Sequence, residues 1–96
     1  MPRYYRHIRH GNQLIEDPEG IVLSDLDAAR ADALNGIRDL LAEAMKGGKD
    51  DILDDAIVIE DESGRELMTI PFTEGLPPRL REALLAMLGS VPKSIH

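Results

Sequence analysis

The 96-residue chain contains no cysteine and no tryptophan. Without thiols, disulfide scaffolds, cysteine nucleophiles, Fe–S clusters and Cys-based zinc sites are excluded. Aromatic residues are two Tyr and one Phe, so any core must be aliphatic. The longest apolar run, Ala83 to Leu88, has six residues, against the roughly 20 needed to cross a bilayer. No apolar h-region follows the first residues, so a cytoplasmic protein with no membrane partner is expected. Positive charge is scarce as well. Lys and Arg number 11 against 18 Asp and Glu, a formal charge of -7, which argues against nucleic-acid binding through phosphate neutralisation. There is no G-x-S-x-G, phosphate loop or G-x-G-x-x-G. With no convergent acid–base set, the expectation is a non-enzyme with no catalytic residue and no cofactor.

What is present suits one small domain, expected over residues 1–90 with 91–96 as a flexible tail. A domain of this size buries only roughly 60–65% of its unfolded surface, so support from a partner or a second copy is in keeping with its length. The charge is uneven. Residues 1–13 carry Arg3, Arg6 and Arg9 with no acid, residues 14–76 carry a net -12, and residues 77–96 a net +2. Basic ends that pair with an acidic middle, within one chain or across a dimer, account for this without a ligand.

The pattern predicts β-β-α-β-β-α. Residues 3–10 hold β-formers and no breaker, Gly11-Asn12 is a two-residue hairpin signal, and residues 13–16 return. Asp17-Pro18-Glu19-Gly20 is a type I turn signature, after which Ile21-Val22-Leu23 is briefly extended. A long helix is expected over 24–47, with Ser24 as N-cap and Asp27 completing a capping box. Its apolar stripe is Leu26, Ala29, Ala33, Ile37, Leu40 and Ala44, flanked by Leu34, Leu41 and Met45. Gly47-Gly48 supplies the stop. Ala56 to Glu60 and Arg65 to Phe72 read as a strand pair joined by a turn at 61–64, with Pro71 confined to an edge or a strand end. Pro77-Pro78 opens a short helix over 78–88. The fold class is therefore α+β: an antiparallel sheet of about four strands in ββαββ order, the long helix packed on it, and the C-terminal helix.

The opening blocks, Met1-Pro2-Arg3-Tyr4-Tyr5, His7-Ile8-Arg9, Gly11, Asp17-x-Glu19-Gly20 and Asp25-Leu26-x-x-Ala29, resemble a bacterial family common in rhizobia. That family opens M-P-R-Y-Y-F-H-I-R-D-G and is classed as a domain of unknown function. The resemblance covers about residues 1–75 and brings no activity, cofactor or site residue with it. Two departures stand out: Arg6 replaces the family's usual Phe, and His10 its usual Asp. By strand alternation Arg6 shares a face with Tyr4 and Ile8, so it must snorkel, pair with an acid or meet a partner. The hairpin, turn and helix layout is also similar to that of HicB-type antitoxins, a likeness of layout that does not fix function.

Each candidate site has an ordinary structural alternative. Tyr5, His7 and Arg9 share one strand face and could bind an anion, a base or a carboxylate; the same row suits a solvated sheet face. His7 and His10, three apart, point to opposite faces, so no shared metal ion is expected. The acids at 50–55 and 60–62 lack the EF-hand pattern. Leu80, Leu84, Met87 and Leu88 form a stripe at i, i+4, i+7 and i+8, which either finishes the chain's own core or, with Arg6, belongs to a partner or dimer interface. The leading expectation is a small interaction module that self-associates. The alternatives are an antitoxin-like regulator that masks a basic protein, and an anion or small-ligand sensor built on Tyr5, His7 and Arg9.

Overall fold

The computed structural model describes residues 1–90; the expected tail at 91–96, with His96, lies outside them. The chain runs β1 (Arg3–His10), β2 (Gln13–Ile15), β3 (Ile21–Val22), α1 (Leu26–Gly47), β4 (Ala56–Glu60), β5 (Glu66–Pro71) and α2 (Pro78–Ser90), with 3-10 turns at Asp51–Asp54 and Phe72–Gly75. The sheet is antiparallel in the order β2-β1-β4-β5, and β3 also pairs with β1. This is the α+β fold that the sequence predicts.

β2 and β3 share one edge of β1. His10 faces Gln13 across the Gly11-Asn12 turn, and Arg3 and Tyr4 face Val22 and Ile21. Between them the 16–20 turn leaves the middle of that edge without a strand. β4 completes the other edge, with Arg6 opposite Ile59 and Ile8 opposite Ile57. These positions share the face that meets α1. Tyr4, Ile57, Ile59 and Ile70 pack there with Ala29, Ala33, Leu34, Ile37 and Leu41.

The helix starts one residue later than a Ser24 cap would place it. Asp25 is the N-cap, its carboxylate accepting the Ala28 N–H at 2.8 Å. A carboxylate also complements the positive end of the helix dipole, and Ser24 is exposed. Helix α1 ends at Gly48, whose φ of 70° lets its own N–H and that of Lys49 return to the Met45 and Ala44 carbonyls, the arrangement of a Schellman stop. The buried stripe is Ala29, Ala33, Leu34, Ile37, Leu41 and Ala44, whereas Leu40 is half-buried and Met45 is exposed. The helix is thus rolled toward the β4–β5 side of the sheet.

The residue that plugs the core was expected to end a strand. Phe72 instead opens the second 3-10 turn and has no exposed surface. Gly75 in that turn lies so close to α1 that a Cβ there would sit 2.6 Å from Ile37 Cγ2. This turn closes the end of the core, a role open to α2 from sequence. Helix α2 leaves the body instead. Leu80, Leu85 and Met87 are 59%, 51% and 61% exposed, and the chain measures 55 × 26 × 26 Å.

Candidate functional site

Three places gather the chemistry-bearing side chains. The first is the β1 face turned away from α1, where Tyr5 and His7 stack with ring centroids 6.4 Å apart. His7 is 8% exposed, and both its nitrogens are engaged. Nδ1 accepts the Asp17 N–H at 3.0 Å, and Nε2 lies 3.2 Å from Glu60 Oε1. A backbone N–H can only donate, so Nδ1 carries the lone pair and Nε2 the proton given to Glu60. Arg9, on the same face, is exposed. A hollow beside Tyr5 and His7 is bordered by Glu16, Asp17, Glu60, Asp61 and Glu62. The expected trio therefore lies on one face, but its imidazole has no nitrogen free for a ligand and its surroundings repel anions.

What His7 does is hold the 16–20 turn. Asp17 fills the gap between β2 and β3. Its Oδ2 accepts the Arg6 N–H at 3.2 Å, and its Oδ1 accepts the Gly20 N–H at 3.2 Å and the Glu19 N–H at 3.4 Å. Partial burial pushes the Asp17 carboxyl up, but these N–H donors and the Arg6 guanidinium outweigh it and hold the group below its ordinary value. Gly20 is fixed by space and backbone together. Its φ is +68°, and a Cβ there would lie 2.8 Å from the Tyr4 carbonyl oxygen.

The second place is the far end of β1. His10 Nδ1 sits 2.7 Å from Asp55 Oδ1, and Nε2 sits 4.0 Å from Asp51 Oδ2. The hydrogen bond to Asp55 and the charge of that carboxylate raise the His10 pKa above its ordinary 6.5. Asp55 is 7% exposed, so His10 is its principal charge partner. The pairing crosses from β1 to the segment before β4, a partnership that sequence separation hides. Among the described residues no three His, Asp or Glu side chains converge as a metal site.

The third place is on the helix side. Because α1 leans toward β4 and β5, a groove of about 360 Å³ stays open between α1 and the β1–β2 edge. Ile8, Ile15, Ala33, Gly36, Leu40 and Ile57 line it, and Arg6, Glu16, Asp17 and Asp32 stand at its rim. Arg6 is engaged within the chain: Nη1 contacts the Asp32 carboxylate, and Nε lies 3.8 Å from Asp17 Oδ2. Its guanidinium thus ties β1 to α1 and to the turn. Ile15 is 54% exposed at the lip.

Helix α2 carries the remaining expected residues. Leu80 and Met87 are exposed and Leu84 is half-buried; the Leu88 side chain lies outside the description. Arg81 Nη1 meets Glu74 Oε1 at 3.1 Å, pinning the first turn of α2 to the 3-10 turn before it.

The fold and these sites define a small two-layer α+β domain with an unfilled groove and a projecting apolar helix. A family model described as a domain of unknown function (DUF6894) matches residues 3–73, and the chain belongs to that family. No curated protein and no solved structure matches it. The matched segment holds the whole sheet, α1 and the Phe72 plug, and stops before α2. Among the described residues, no helix is long and apolar enough to cross a membrane.

Proposed function

We propose that the protein is a small non-enzymatic interaction module that self-associates through α2. The observation that carries this reading is the exposure of Leu80 and Met87 on one face of a helix that the core does not use, with half-buried Leu84 between them. Contiguous apolar side chains on a small protein mark an interaction surface. An amphipathic helix that offers Leu80, Leu84 and Met87 at i, i+4 and i+7 fits helix-in-groove recognition. The engagement of both His7 nitrogens, one by the Asp17 N–H and one by Glu60, supports a structural role for the imidazole at the centre of the Tyr5, His7 and Arg9 row.

The test is mass against concentration by sedimentation equilibrium. The wild-type chain is expected to move from monomer to dimer mass across the micromolar range. Leu80→Asp with Met87→Asp is expected to hold it at monomer mass with an unchanged circular dichroism spectrum. A wild-type chain that stays monomeric at every concentration ends this reading.

A further inference from the structure

Resting on that reading, we infer that the groove between α1 and the β1–β2 edge is the receptor for α2 of a second copy. The groove and the helix lie on opposite flanks of α1. The 3-10 turn that launches α2 abuts Ile37, Leu41 and Arg38, with Arg38 Nε donating to the Gly75 carbonyl at 3.1 Å. The groove opens on the other flank, over Gly36 and Leu40. At about 100° per residue Leu41 and Arg38 fall on one side of the fully buried Ile37, and Leu40 and Gly36 on the other. Helix α2, pinned at its start by Arg81 and Glu74, sits on the wrong side of α1 to fill its own groove.

The groove suits such an occupant in shape and charge. Its floor includes Gly36, where an added Cβ would meet nothing within 4 Å. A helix can therefore approach closely there, and leucine side chains can enter between Ile15 and Leu40. The rim carries three acids, Glu16, Asp17 and Asp32, against one base, Arg6. The first turn of α2 brings Arg79, exposed on the helix, and the span from 77 to 96 is net positive. Opposite charge at the lip with apolar contact inside is the layout of a specific interface. Reciprocal exchange fills both grooves and covers both helices of a closed pair, whereas one-way docking leaves one of each exposed and propagates.

The experiment blocks each half separately. Gly36→Met fills the groove at a site with free space and removes a helix-interior glycine, so at low, monomeric concentration this variant is expected to melt no lower than wild type. Leu80→Asp/Met87→Asp disables only the helix. Each variant alone is expected to be monomeric by sedimentation equilibrium, its dissociation constant weakened at least about tenfold, equivalent to ~1.4 kcal/mol. Mixed in equal amounts, they are expected to form a heterodimer, because one retains the helix and the other the groove. A dimeric Gly36→Met variant beside a monomeric helix variant overturns the groove assignment and leaves the α2 reading standing. Two monomeric variants that do not complement on mixing also overturn it. A monomeric wild type removes both.

Discussion

At the scale of single residues, His7 and Asp17 show how a binding-like pattern is consumed by structure. Asp17 stands where a strand partner for Arg6 is missing, and its backbone N–H fixes the tautomer of His7. Asp17→Ala is expected to destabilise the chain by about 1–3 kcal/mol, because it leaves the Arg6 and Gly20 N–H groups without a protein acceptor; a denaturant titration reads this directly. The pKa directions then set a pH window. The Asp17 pKa is lowered in the folded state. Its contribution is therefore present above the unfolded value of 3.8 and is lost as pH falls through the folded value. The His10 pKa is raised. Its contribution is full below 6.5 and is lost as pH rises through the folded value. Both are present together from about pH 4 to pH 6.5. The melting temperature of wild type minus that of His10→Gln is expected to be largest near pH 5.5 and to shrink above pH 8. Equal differences at the two pH values would show that the His10–Asp55 contact carries no charge-dependent stability.

At the scale of elements, local pattern and tertiary contact part company at identifiable residues. The β1–β2 hairpin, both faces of β1, the β4–β5 pair and α1 were legible, because each carries its own period and its own turn residues. The alternation that puts Tyr4, Arg6 and Ile8 on the α1 face holds. The capping choice was not legible, since Ser24 and Asp25 are both good caps and the chain selects the carboxylate. Nor was the 3-10 turn at Phe72–Gly75, whose residues have no periodic signal. Phe72 is buried and Gly75 obligatory only because α1 lies against them. Gly75→Ala is expected to cost about 1–3 kcal/mol through overpacking, since Ile37 is β-branched, fully buried and unable to rotate away. Phe72→Ala is expected to cost about 3–5 kcal/mol. Urea midpoints for the two variants check both values. The partners of His7, Arg6 and His10 were illegible for a related reason. Glu60, Asp32 and Asp55 are 53, 26 and 45 positions away, and nothing local marks them among the acids that fill the middle of the chain.

At the scale of the whole molecule, the arrangement is lopsided. The radius of gyration is 15.1 Å, against about 12.5 Å for a compact chain of this length. The excess reflects a helix held away from a body that already has a closed core. Phe72 seals the end of that core, Leu76 packs against its margin, and the described part of α2 adds no residue to the buried set. Folding and association should then be separable. A chain ending after Leu76 is expected to unfold in one cooperative step, with a melting temperature within a few degrees of the full chain measured at low, monomeric concentration. The reason is that the cut removes little buried apolar area, the main source of stability. At high concentration the two chains are expected to diverge, because only the full chain gains stability by mass action from its second copy. Calorimetry at two concentrations differing by about a hundredfold distinguishes the cases. A rise in melting temperature confined to the full chain places the association in α2 and the fold in the first 76 residues. A truncated chain that fails to fold cooperatively would instead make α2 part of the folding unit.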